Sequence, residues 1–323
     1  MLSGIPQGSV LGPLLFVIFI NDLPLKCGDT SEMFLFVDDA KLYKCIRSVS
    51  DYCLLNQCCK DVFTWSENWL MNLSISKCKV LSICHNHSNI IKFNYGFDIP
   101  NQGATTLEHE ENIKDLGLLM DSGLSFDEHI LDKVAMANKM LGIIKRNFID
   151  LDKNNFELLY KSMVRCHLEY AVSVWNPYKK GIISAIENIQ KKATKLIREC
   201  KGLCYKDRLI CLNMPTLKYR RVRGDMIEVY KILHHVYDID VVPLLKRNLD
   251  SRTRGNSLKL KVERCHLDIR KFSFCNRVTN VWNLLPEYVV NSGSVNTFKN
   301  NLDKHWKSES FYFDFEANPA GFS

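Results

Sequence analysis

Apolar and polar positions change their spacing several times along this 323-residue chain. Leu14 to Ile20 is continuously apolar and follows Pro13, which a helix tolerates only in its first turn. The spacing predicts a helix over Val10 to Asp22, capped by Ser9, apolar nearly all round and therefore buried beneath a sheet. Met33 to Val37 then run into Asp38 and Asp39, after which alternation resumes through Tyr43. That pattern predicts two short strands joined by a tight turn. Successive strand residues point to opposite faces, so the two acids could serve one site only at the turn.

Asp51 to Trp69 carries Leu54, Leu55, Cys58, Val62, Trp65 and Trp69 on one side, as an amphipathic helix does. Ile113 to Phe126 reads as a strand, an Asp121-Ser122-Gly123 turn and a return. Three amphipathic helices follow. They are His129–Arg146 (Ile130, Val134, Ala137, Leu141 and Ile144 inward), Asn155–Trp175 (Phe156, Leu159, Met163, Tyr170, Val174) and Ile182–Cys200 (Ile186, Ile189, Ala193, Leu196). One apolar stripe per helix with short breaks predicts a small bundle. After Pro215, helical patterns recur from Arg220 to about His235, from Phe274 to Leu284 and from Phe298 to Trp306.

Charge divides the chain. Residues 1–125 hold nine Lys/Arg against fourteen Asp/Glu, and residues 126–323 hold 34 against 22. Such asymmetry suggests that the back half meets a polyanion. Lys191, Lys192, Lys195 and Arg198 would form an outward basic face, suited to a nucleic-acid backbone or simply to solvent. Arg252 and Arg254, beside Gly255, suit phosphate binding.

The apolar run at Leu14 lacks a preceding cation and a cleavage site, and falls short of the ~20 residues of a membrane span. A nuclear or cytoplasmic protein without a membrane partner is expected. The thirteen cysteines then read as reduced thiols. Cys78, Cys84, His85 and His87 fit no zinc spacing, nor do Cys200, Cys204, Cys211, Cys265 and Cys275, so no zinc is expected.

An Asp-Asp pair alone is as readily an exposed turn. At a buried tip it would need a cation, and magnesium is the natural candidate. Its setting narrows the choice. Ser3-Gly4-Ile5-Pro6-Gln7-Gly8 lies upstream of Phe36-Val37-Asp38-Asp39, with Asn21-Asp22-Leu23-Pro24 between. That order resembles the palm motifs of reverse transcriptases from non-LTR (LINE-type) retrotransposons, the jockey-like group in particular. Trp69 to Val80, Leu116-Gly117, Arg252-Thr253-Arg254-Gly255 and Val281-Trp282-Asn283-Leu284-Leu285-Pro286 extend the resemblance over nearly the whole chain.

The resemblance implies an α+β fold. A partial polymerase palm of antiparallel hairpins and packed helices (1–126) would precede a helical thumb (127–213) and a mainly helical basic C-terminal region (214–323). Asp38 and Asp39 would hold Mg²⁺, and Lys77 would neutralise phosphate or protonate pyrophosphate, although Ser74 replaces the family's usual Asn. Gly4, Pro6, Gln7, Gly8, Phe36 and Val37 would meet template and incoming deoxynucleotide, and Leu116 and Gly117 would support the primer. RNA template and DNA primer are the implied partners.

Two-metal transfer needs a further carboxylate. In the family it lies on a strand well before the glycine loop, and this sequence starts two residues before that loop. The expectation is a polymerase fragment without activity of its own, with an unpaired sheet edge and exposed apolar surface. The alternative is a non-catalytic nucleic-acid-binding remnant or co-opted protein.

Overall fold

The computed structural model describes residues 8–28, 31–84, 93–99, 103–248 and 256–320. The chain divides into two units, Met1–Ile113 and Lys114–Ser323. Both helix and strand are present, as an α+β chain requires.

In the first unit, Ser9 Oγ accepts the amide of Gly12 at 3.0 Å, which caps helix α1 (Leu11–Ile20) as the sequence suggests. The expected burial of α1 is corrected. Ile20 is buried, while Leu11 and Ile18 are 64% and 65% exposed, and Leu14, Leu15 and Val17 are exposed with them. Among the described residues only one face meets other elements, so an all-round apolar helix is left half uncovered. Strands β1 (Glu32–Phe36) and β2 (Asp39–Tyr43) pair antiparallel, with Phe36 opposite Asp39. Helix α2 (Val49–Asn68) starts at a Ser48–Asp51 capping box. The amides of Arg47 and Ser48 and the Ser48 hydroxyl donate to the Asp51 carboxyl and hold its pKa below the usual value.

The core here joins Ile20, Leu23, Cys27, Cys58, Val62 and Trp65, with Phe16, Phe19, Met33, Leu35 and Leu42 packed against them. Cys27 and Cys58 form a disulfide, which corrects the expectation of thirteen reduced thiols. Four short strands follow: β3 (Lys79–Leu81), β4 (Gly96–Ile99), β5 (Gly103–Thr106) and β6 (Glu108–Glu110). β4 and β5 form an antiparallel pair, but β3 and β6 run parallel, so the expectation of antiparallel hairpins alone is also corrected. Lys79 reaches across that parallel pair to Glu108 and Glu110.

Strands β7 (Asn112–Asp115) and β8 (Leu118–Asp121) pair with each other. Their turn lies at Leu116-Gly117, not at Asp121-Ser122-Gly123. Gly117 takes φ +83°, a conformation that its missing Cβ makes cheap. The Asp121 carboxylate instead organises the next loop. It accepts the amides of Gly123 (3.0 Å), Ser125 (2.9 Å) and Phe126 (2.7 Å) and the Ser125 hydroxyl (3.2 Å). Burial raises this carboxyl's pKa, but the four hydrogen bonds outweigh it and the net shift is downward.

Asp121→Ala strands those amides and is expected to cost about 2 kcal/mol in urea titration. Because the native pKa is depressed, the contribution is present above the ordinary value of 3.8 and is lost as pH falls through the native one. The gap between wild type and variant should therefore narrow in acid. A gap that widens there would refute this role.

In the second unit, helix α3 (Asp127–Asn147) begins with Asp127 and Glu128 and ends with Lys145 and Arg146, complementing its dipole. Ile130, Ala137, Leu141 and Ile144 are buried as the periodicity assigns, Val134 is only half-buried, and His129, outside the expected stripe, is buried with them. The next predicted helix is broken into α4 (Lys153–Leu159), a π-helical turn over Tyr160–Arg165, α5 (Cys166–Glu169) and, after Ala171 at φ +51°, α6 (Val172–Trp175). The wider π turn moves the buried stripe to Phe156, Tyr160, Val164, Leu168 and Trp175, and leaves Tyr170 and Val174 exposed.

Helix α7 (Lys180–Ala193) stops short of the predicted Cys200 and gives way to 3-10 turns at Thr194–Leu196 and Arg198–Cys200. Helix α8 (Tyr205–Leu212) completes the first helical core, which runs from Leu118 to Leu217. A second core starts at Tyr219 on α9 (Leu217–Leu233). It takes in α11 (Phe274–Asn283), which follows the short α10 (Asp268–Lys271), then α12 (Glu287–Val290) and α13 (Val295–Trp306).

The C-terminal segment pins α9. Thr216 Oγ1 donates to the carbonyl of Phe311 (3.0 Å), and Lys218 Nζ donates to those of Phe315 (3.2 Å) and Ala317 (2.7 Å). Among the described residues, no helix is long and apolar enough to cross a membrane.

Candidate active site

The β1–β2 hairpin turns through two residues, Val37 and Asp38, between the paired Phe36 and Asp39, which corrects the expectation that both acids sit at the turn: Asp38 does, and Asp39 begins β2. Two-residue hairpins need a positive φ, and Val37 supplies it at +55°. A β-branched side chain is strained there, since glycine or asparagine would adopt the same backbone at lower cost. One hairpin face, Met33, Leu35 and Leu42, packs on the core that holds Phe16 and Phe19 of α1. The other carries Phe34, Phe36, Lys41 and Tyr43, and cross-strand pairing places Asp39 with them. The hairpin thus shares its core with α1, the helix that follows Gly8.

The acids are not at a buried tip. Val37, Asp38, Asp39 and Ala40 are all exposed, so the desolvation argument for a bound cation does not apply to the chain as it stands. Among the described residues, no three His, Cys, Asp or Glu side chains gather to hold a metal. Two neighbouring carboxylates fit a hard dication that keeps waters and takes further oxygens from a substrate, the usual habit of magnesium. They do not form a closed cage. Asp22 is occupied elsewhere, accepting Trp65 Nε1 at 3.0 Å.

Lys77 is exposed in the 3-10 turn Ile75–Lys77. Gly8 takes φ +84° at the end of its loop, whereas Gly4, Pro6 and Gln7 lie outside the described residues, as do His85, His87, Arg252 and Arg254. Leu116 and Gly117 form the β7–β8 turn, where Tyr170 Oη donates to the Leu116 carbonyl at 2.6 Å. Nothing in sequence spacing signals that tie.

The expected basic face is smaller than its spacing suggests. Lys191 is half-buried, with Nζ 4.1 Å from the Phe315 ring centre and 5.5 Å from that of Tyr205. Lys192 bonds Asn138 Oδ1 at 3.4 Å. Lys192, Lys195 and Arg198 are exposed, the last two on the 3-10 turns beyond α7.

The sequence profile of the reverse transcriptase (RNA-dependent DNA polymerase) family matches residues 2–120. Over those residues the chain is similar to reverse transcriptases. An RNA-directed DNA polymerase from mobile element jockey of Drosophila funebris is 27% identical over 278 residues, covering 81% of this chain and 28% of that protein. The jockey polymerase of Drosophila melanogaster is 27% identical over 210 residues, covering 60% of this chain and 22% of its own. A probable RNA-directed DNA polymerase from transposon X-element of the same fly is 24% identical over 217 residues (62% and 22%).

The chain thus spans less than a third of the length of these relatives. No solved structure matches. The relation to non-LTR retrotransposon polymerases expected from the motifs is borne out, and the reverse-transcriptase segment contains both the glycine loop and the Asp38–Asp39 hairpin.

Proposed function

We propose that residues 1–126 are part of a polymerase palm, residues 127–213 a thumb and residues 214–323 a basic extension, together serving RNA-directed DNA synthesis. The observation that carries this reading is that the Asp38–Asp39 hairpin and the helix that follows the glycine loop share one core. The strain at Val37 adds to it, because left-handed φ on a β-branched residue persists where the surroundings or a function demand it.

Asp38 and Asp39 would hold Mg²⁺, which when bound supplies charge stabilisation for phosphoryl transfer. Phe36 and Val37 would lie beside the nucleotide, Lys77 would offset phosphate charge, and Leu116-Gly117 would steady the primer. The exposed Lys192, Lys195 and Arg198 would meet nucleic-acid backbone in a salt-sensitive manner. Because the described residues bring no third acid to the pair, the 323-residue polypeptide is proposed to bind metal weakly and to lack catalysis by itself. A nuclear or cytoplasmic setting goes with this reading.

Manganese, a paramagnetic stand-in for magnesium, tests the site. Added Mn²⁺ is expected to broaden the amide NMR signals of Val37 to Ala40 first, and Asp38→Asn with Asp39→Asn to abolish the effect. Broadening that ignores both substitutions, or that centres elsewhere in the first unit, would sink the assignment.

A further inference from the structure

Helix α9 carries Arg220, Arg221, Arg223 and Gly224 within little more than one turn. Together with Lys299 of α13 they line an open cavity of about 270 Å³, with Glu169 and Glu228 at its wall. We propose that this cavity is a binding site for a phosphate group. The inference does not rest on the polymerase reading and concerns residues that reading leaves unused.

The donors are held in place but not exhausted. Arg220 binds Glu169 through Nε and Nη2, and Arg223 binds Asp303 through the same two atoms. Each guanidinium has five N–H donors, so Nη1 of both is left over. Arg221 is buried and anchored, its Nε donating to Asn176 Oδ1 at 3.1 Å, so it adds charge beside the cavity rather than a donor within it. Lys299 is half-buried and makes no ion pair among the described residues.

A carboxylate can be gripped by one planar guanidinium. Two guanidinium edges on one helix and an ammonium on another, with the buried charge of Arg221 beside them, suit the several oxygens of phosphate better. Gly224 keeps the floor open, because a Cβ there would meet only Val172 Cγ1 at 3.7 Å. A glycine inside a helix costs about 1 kcal/mol relative to alanine, and the room it leaves offsets that only if something occupies it.

The test uses the full chain, with sodium phosphate against sodium chloride at equal ionic strength in calorimetry, and a labelled oligothymidylate in fluorescence anisotropy. Phosphate is expected to bind above the chloride background, and Lys299→Glu to weaken it by about tenfold, the loss of one charged hydrogen bond. Gly224→Ala should raise the melting temperature while lowering phosphate affinity, which separates loss of the site from loss of the fold. If phosphate displaces the oligonucleotide and Lys299→Glu weakens both, the occupant is a nucleic-acid phosphodiester. If the oligonucleotide is indifferent to Lys299→Glu while phosphate is not, the occupant is a free phosphate or phosphate monoester. Phosphate heats no different from chloride, or a Lys299→Glu chain that binds phosphate as wild type does, would overturn the proposal.

Discussion

Replacing Asp225 by Ala is expected to destabilise the second unit by about 3–5 kcal/mol. Asp225 Oδ2 and Oδ1 accept Arg277 Nε and Nη2, both at 2.9 Å, and the two side chains are only 4% and 6% exposed. Asn176 Nδ2 donates to the same carboxylate at 3.0 Å. Arg277 also donates to the carbonyls of Phe272 (3.2 Å) and Ser173 (2.6 Å), so the pair ties α9 and α11 to the segment before α7. Removing the acid leaves a guanidinium in the interior with no counter-charge, and that dominates the loss.

The pair itself is a smaller matter, because desolvation of both charges offsets most of their attraction. Asp225→Leu with Arg277→Met should therefore recover much of the stability lost by either single change. Denaturant melts of the four proteins give the coupling. A loss below about 1 kcal/mol for Asp225→Ala would mean that water reaches the pair after all.

Local patterning was readable where contacts are local. Period-two alternation broken by two acids marks the β1–β2 hairpin, and α3 buries all but Val134 of the residues its 3.6-residue stripe assigns. What escaped depends on partners far along the chain. The π turn at Tyr160–Arg165 shifts one stripe by a residue, and no propensity signals it. Lys191 looks like a surface cation until Phe315, 124 positions away in sequence, covers it. Cys27 and Cys58 have no telling spacing; α2 brings them together.

The same holds for charge. Arg277 is taken up by the buried Asp225, 52 positions away in sequence, so counting cations overstated how many are free to meet a polyanion. The resemblance was legible because its motifs are contiguous, whereas the exposed α1 face and exposed acids emerge only in the folded chain.

The second large effect concerns Asp38. Metal-assisted transfer draws several kcal/mol of charge stabilisation from the bound dication, so losing one carboxylate that holds it should lower the rate on the order of 10³-fold. That loss is measurable only where catalysis exists. Mg²⁺-dependent primer extension on an RNA template should therefore be assayed for the 323-residue chain, and for the same chain joined to the segment preceding the matched region in the Drosophila funebris jockey polymerase. The expected result is no extension by the first, and extension by the second that Asp38→Ala cuts about a thousandfold. Extension by the unjoined chain, or joined-chain extension indifferent to Asp38→Ala, would contradict an incomplete two-carboxylate metal site at this hairpin.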